Sequence, residues 1–408
     1  MTTMDNRVWH NTGAQLDHFR NSQFTSVISH KLDEAQQLRA EQGYTARLGE
    51  EQIFRLAPKG DMMLDDIYLV NDITEISDAS TADEAYVAAT GLNIIERIQV
   101  RYRGEKIWEL DDMTVPYFHI KTYVDKNYDL DHDLELMNDV DLSTRQDQAH
   151  NGGVKTYLKL DLFVPLFSHP LPLGELQSNL EIRVRYKPVN QCITGVSSPT
   201  GTFSISDSYL QTSWINPPDR IVDETKRLIR NGRWQFFNYS MLHSPYPIGT
   251  GKDRERFVLS NLVDKNIIKL YFIRREMDDV YVEPFNTKRI ESWNLKSGGR
   301  RIDGNTIDWT WDDFKSWYVN AKHITNWDAP VDNYVPFIGY AEDLGNTFNK
   351  RRGEVPLYFG SYSFARTTDA TLEVHFDEAT SDPEQLEVVA VIPEIAGISS
   401  SGHFFTAR

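Results

Sequence analysis

The feature that most constrains this chain is a faint internal duplication. The segment GEKIWELDDMTVPYFHIKTYV, beginning at Gly104, aligns without a gap on GRRIDGNTIDWTWDDFKSWYV, beginning at Gly299. Gly104 falls on Gly299, Ile107 on Ile302, Tyr123 on Tyr318 and Val124 on Val319, all 195 residues apart. The same spacing carries Leu162 onto Leu357 and Ser168 onto Ser363, and three residues of slippage then set Leu180-Glu181 on Leu372-Glu373. A spacing that recurs in order along a chain marks one structural unit used twice. At 408 residues there is room for two domains of ordinary size, each with its own core. Both copies read as a β-turn running into a helix-like segment.

Each half is otherwise written in short strands. Between Gly, Pro, Asn and Asp punctuation lie β-like runs at 52–56, 66–73, 94–102, 156–167, 180–186 and 203–215. A second series follows at 234–242, 256–262, 267–274, 290–296, 355–364, 370–376 and 385–392. Arg183 and Arg185 alternate with Ile182 and Val184, as in a strand with one wet face. Aromatic residues form 12% of the chain, and their preference for half-buried pleated surfaces agrees with β-structure. Pro217-Pro218 interrupts the pattern, a charged helix is predicted over 219–230, and this marks the boundary between domains at 46–216 and 217–408. A further helix is predicted over 311–321. Residues 1–45 are polar, with a helical stretch around 27–41 that puts Val27, Ile28, Leu32 and Leu38 loosely on one face, and they read as an N-terminal arm. Many short strands with long loops predict an all-β chain of two tandem sandwiches or jelly rolls, since regular strand–helix alternation would imply a parallel sheet.

Charge and cysteine narrow the function. The net charge is −17, with acidic residues spread along the chain, so direct nucleic-acid binding is not expected. The single cysteine, Cys192, excludes an internal disulfide framework, fits folding in a reducing compartment and is expected to be inert filling. No run approaches the ~18 apolar residues of a membrane span, and the polar start MTTMDNRVWHNTG does not read as a signal peptide. Synthesis and folding in a cytoplasm are therefore expected.

Chemistry is hard to find. The acidic run from Asp125 to Asp133 begins like a calcium loop, but Leu130 stands where glycine is needed and Leu136 where glutamate is needed, so a solvated loop is the reading. The histidines form no HxH or HExxH spacing, and His119, His132, His150 and His169 read as scattered loop residues. No nucleophile elbow and no phosphate-cradling glycine loop occur, and Gly298-Gly299-Arg300-Arg301 reads as a hairpin turn. Asn238-Tyr239-Ser240 matches a glycosylation acceptor that a cytoplasmic protein would not use. Trp309, Trp311, Trp317 and Trp327 could form a sugar platform, although packing in a helical core is the plainer reading. No catalytic residue, cofactor site or metal site is assigned, and an enzyme is not expected.

Four stretches resemble the double jelly-roll major capsid proteins, the lineage joining tailless membrane-containing phages, adenovirus hexons and the nucleocytoplasmic large DNA viruses. LNIIERIQVRYRGEKIWEL from Leu92 is similar to the family's strand pair leading into a turn. LDLFVPLFSHPLPLGELQSNLEIRVRY from Leu160 is similar to its strand, proline-rich loop and strand. SYLQTSWINPPDRIVDETKRLIRNGRWQFFNYSML from Ser208 resembles the junction between rolls, with Glu224, Lys226 and Arg227 in the charged turn. VPLYFGSYSFARTTDATLEVHF from Val355 resembles the closing strands, and Ser363-Phe364-Ala365-Arg366 matches a family string only loosely. The resemblance implies two eight-stranded jelly rolls with short helices in the loops. It implies homotrimeric, pseudo-hexameric capsomers in the shell of an icosahedral double-stranded DNA virion. It also implies contacts with neighbouring capsomers and minor or penton proteins, and an arm on the inner side near an internal membrane or neighbouring tiles. The reading from another class is a carbohydrate-binding or glycan-active β-sandwich; a virion spike is a third.

Overall fold

The structure is a computed structural model. It describes residues 32–39, 47–111, 138, 140–160, 164–168, 170–196, 198–267, 269–276, 288, 290–301, 309–310, 337–339, 342–343, 358–359, 362–364 and 369–407. In the first half the strands are β1 (Leu32–Arg39), β2 (Glu51–Leu56), β3 (Met63–Ile73), β4 (Ile95–Tyr102), β5 (Glu105–Asp111), β6 (Val154–Lys159), β7 (Leu180–Tyr186) and β8 (Ile205–Ile215). They build two four-stranded antiparallel sheets, ordered β1-β8-β3-β6 and β2-β7-β4-β5. First beside last and second beside seventh is the winding of a jelly roll.

The second half repeats it. Its strands are β9 (Gln235–Ile248), β10 (Arg254–Val258), β11 (Lys269–Glu276), β12 (Ile290–Ser297), β13 (Arg300–Arg301), β14 (Phe337–Gly339), β15 (Ala370–Phe376) and β16 (Glu384–Ile398). The main paths of the sheets are β9-β16-β11-β14 and β10-β15-β12-β13, which is the first order with every strand advanced by eight, and each sheet carries a fifth strand, Phe404–Ala407 on β16 and Trp309–Thr310 on β12. Every sheet among the described residues draws its strands from one side of Pro217-Pro218 only.

The duplication holds at single residues. Ile95 pairs with Tyr186 ahead of a bulge, and Ile290 pairs with Phe376 ahead of a bulge. At the other end Tyr102 pairs with Leu180, and Ser297 with Ala370. So β4 maps onto β12 at the expected 195 residues, while β7 maps onto β15 at 190. Leu180 therefore corresponds to Ala370, not to Leu372. The sequence alignment was two residues out, an error that period-two alternation conceals because it keeps every side chain on its own face. Both copies turn through two-residue hairpins of the I′ kind, with positive φ at Arg103 and Gly104 (52° and 83°) and at Gly298 and Gly299 (56° and 74°).

Alternation builds the cores. Along β7, Leu180, Ile182, Val184 and Tyr186 point inward with no exposed surface, while Glu181, Arg183 and Arg185 point out. Phe54, Ile98 and Val100 complete that wall, and Phe257, Trp293, Leu295, Leu372 and Val374 build its counterpart. The prolines obey the ladder too. Pro245 and Pro247 lie in β9, which pairs on one side only, and Pro393 falls in β16 between the end of its pairing with β11 at Val391 and the start of its pairing with Phe404–Ala407 at Ile395.

Several expectations need correcting. The helix expected around 27–41 is a strand over Leu32–Arg39, paired with β8 from Leu32↔Ile215 to Arg39↔Tyr209. The unpaired edge of the eleven-residue β8 offers a row of backbone partners, and satisfying it outweighs a weak helical pattern. Part of the expected arm thus belongs to the first roll's sheet. The helix-like segment after Gly104 begins instead as strand β5, and the strand expected over 156–167 stops at Lys159, with Pro165–Ser168 coiled as a 3₁₀ turn. The helix predicted over 219–230 forms as Asp219–Arg230 (α1). The helix expected over 311–321 lies outside the described residues.

Candidate functional site at the joint between the two halves

With the chain built as two similar bodies, the contacts that fix one against the other are its most functional geometry. The first is α1 (Asp219–Arg230). Proline at 217 and 218 ends β8's extension, and Pro218 serves as N-cap. Asp219 in the first turn and Arg227 and Arg230 in the last complement the helix dipole. Ile221, Val222, Thr225 and Ile229 form the buried stripe, and Ile221 closes a small apolar cluster with Met63 and Ile215. Lys226 Nζ reaches Asp61 Oδ1 at 2.6 Å, which keeps the lysine above its usual pKa.

The second contact is a C-terminal clasp. Beyond β16 the chain turns tightly through Ser399–His403: Ser399 N donates to His403 O at 2.8 Å and Gly402 N to Ser399 O at 2.9 Å. The strand Phe404–Ala407 then returns antiparallel to Ile395–Ile398. The tip of the turn enters the first roll, where Gly402 O accepts from Gln177 N at 3.1 Å and from Tyr102 Oη at 3.0 Å. Arg103 Nη1 donates to a His403 ring nitrogen at 2.9 Å, and the Tyr102 ring meets His403 edge-on at 6.4 Å. Gly402 has φ +70°, and a Cβ there would lie 2.8 Å from Glu175 O, so the approach requires glycine. The duplicated hairpin at Tyr102–Arg103 is thus also a docking point for the chain's end.

The residues singled out by the sequence do not converge here. Asp125–Asp133, His119, His132, His169, Trp311, Trp317 and Trp327 lie outside the described residues. His150 is half-buried with Nε2 3.0 Å from Glu84 O, and Trp309 sits in a two-residue strand paired with Trp293 of β12. Gly298-Gly299 forms the hairpin predicted for it. Cys192 is fully buried, and burial pushes its thiol up to about 12. Asn238 to Ser240 run within β9. No helix among the described residues is long and apolar enough to cross a membrane. Sequence reasoning missed the clasp: its only trace is the Ser-Ser-Ser-Gly string before His403, a turn signal with nothing to say what it touches.

No family model matches the sequence. No curated protein matches it either. Solved structures do. The crystal structure of PBCV-1 VP54, fitted into a reconstruction of the virophage Sputnik, aligns with a TM-score of 0.63 at 12% identity, covering 92% of this chain and 96% of that one. The Faustovirus major capsid protein aligns at 0.58 and 10% identity, covering 90% of each chain. The mavirus major capsid protein aligns at 0.55 and 11% identity, covering 91% of this chain and 89% of its own. The likeness runs through both rolls, so the chain has the double jelly-roll fold of these proteins.

Proposed function

We propose that this chain is the major capsid protein of an icosahedral double-stranded DNA virus. Three copies form a pseudo-hexameric capsomer, which meets neighbouring capsomers and minor or penton proteins in the virion shell. The observation that carries this is the pair of jelly rolls with identical strand order, matched over nearly the whole length of known capsid proteins. Two alike bodies per chain and three chains about an axis present six similar units, an outline that tiles a closed lattice. The reading places the division between rolls at 216/217, keeps the residues ahead of β1 as an arm on the inner side, and assigns a structural, non-enzymatic role. The same full-length likeness favours it over a glycan-active sandwich. Negative-stain images of the purified protein test it: hexagonal particles support a capsomer, whereas isolated single chains that bind a polysaccharide array would replace it with the sugar-binding reading.

A further inference from the structure

The interior of the first roll carries a polar layer whose hydrogen bonds do not close on themselves. Gln52, Asn71, Thr156, Tyr186 and Ser208 are all buried there, drawn from β2, β3, β6, β7 and β8, so the layer spans both sheets. Asn71 pairs with Ser208 on one side and with Thr156 on the other, which sets the three side chains in one row. Tyr186 reaches that row from the opposite sheet. Its Oη lies 2.9 Å from Asn71 Oδ1, 3.0 Å from Gln52 Oε1 and 3.2 Å from Ser208 Oγ, and Ser208 Oγ lies 2.9 Å from Gln52 Oε1. The second roll is built otherwise. Phe376 stands where Tyr186 does, under the Arg274 guanidinium at 4.5 Å, and the registers that set this also put Arg254 where Glu51 stands.

The layer holds too few protons for its contacts. Burial holds the Tyr186 phenol far above its usual pKa, so it keeps its one proton, and Ser208 supplies one more. Two hydroxyl protons cannot fill four oxygen–oxygen contacts. With Asn71 as it lies, its Nδ2 is buried and has no hydrogen-bond partner among the described residues. The bonding network decides which way an amide lies, and turning this one about brings its NH2 to Tyr186 and releases the phenol proton to Gln52. The turn satisfies three of the four contacts and leaves Oδ1 at the orphaned end instead. Thr156, next in the row, does not supply that end, because its hydroxyl is directed at the Asn71 main-chain carbonyl at 3.5 Å. A buried amide end left unbonded is costly. Ser208 is 7% exposed and Gln52 2%, so the layer touches solvent at one edge.

We propose that the first roll binds one ordered water in this layer, bonded to the orphaned end of the Asn71 amide. Water is the ligand this chemistry selects, since it accepts from an NH2 and donates to a carbonyl, and so serves either orientation of the amide. A cation would serve only the carbonyl and an anion only the NH2. Buried waters of this kind complete the bonding of polar groups that their neighbours leave unpaired. Here the water adds one more bond to a layer that already joins β2 and β7 of one sheet to β3 and β8 of the other. The site belongs to the first roll alone and does not depend on the capsomer reading.

A high-resolution crystal structure of the full-length protein tests this without any substitution. The expected result is a density peak about 2.7–3.2 Å from one end of the Asn71 amide. An amide that bonds protein groups at both ends, or whose outer end packs dry against carbon, overturns the proposal. Magnetic relaxation dispersion of the solvent gives a second readout. Asn71→Leu keeps the bulk of the side chain and removes the amide, and is expected to lower the number of long-lived internal waters by one per chain. An unchanged number in the folded variant overturns the proposal as well. Should Asn71→Leu fail to fold, the wild-type crystal structure decides alone.

Discussion

Glu84 is fully buried yet stays charged. Burial raises its pKa, but hydrogen bonds from the Ser80 hydroxyl and backbone and from the Gly201 and Thr200 backbones outweigh it and hold the carboxyl below its ordinary value. This one side chain ties residues 80 and 200–201 together at one end of the first roll. A depressed pKa means stability that is present above the unfolded value and lost as pH falls through the folded one. Glu84→Gln should cost about 1–3 kcal/mol at neutral pH, because an amide cannot accept from the same set of donors. In urea denaturation its deficit against wild type should shrink below about pH 4, and equal stability at pH 7 would refute the role. Cys192 makes a simpler case: with its thiol pushed up to about 12, a thiolate-directed reagent at pH 8 should label the native protein negligibly and the urea-unfolded protein fully. Labelling of the native protein at the unfolded rate would contradict the burial. The reading of Cys192 as inert filling agrees with its burial, whereas Glu84 was not singled out, since beside the nearby Ser80 its donors at Thr200 and Gly201 lie over a hundred residues away.

Strands with alternation were legible to the residue, and the largely apolar run at 385–392 was legible as part of the longer β16. Leu180–Tyr186 and Ala370–Phe376 were read to the residue because one face is apolar and the other charged. β1 was misread because its pattern is weak and its structure comes from the edge of β8, a tertiary cause that a local window cannot contain. β5 was misread for a related reason: GEKIWELDD carries charges at spacings a helix could use, while its strand identity comes from the I′ turn at Arg103-Gly104. The clasp belongs to this scale as well, because it joins a C-terminal turn to the same hairpin. Gly402→Ala puts a methyl group 2.8 Å from Glu175 O at a positive φ, and should destabilise the protein by about 1–3 kcal/mol in thermal unfolding. An unchanged melting temperature would show that the turn does not hold the halves together.

At the scale of the whole molecule, the duplicated roll is the economical part and its divergence the informative part. Winding, bulge and hairpin are the same in both copies, as backbone geometry demands. The outer charges and the core polarity are not. Tyr186 places a hydroxyl among Gln52, Asn71 and Ser208 inside the first roll, where its counterpart Phe376 has none. Two rolls that share a frame and differ in surface suit a tile in which each roll meets different neighbours. The account depends most on that assembly, and the solution mass of the full-length protein by light scattering tests it most directly. It predicts a single species of three times the chain mass that persists on dilution. A species of one chain mass at every concentration would contradict it.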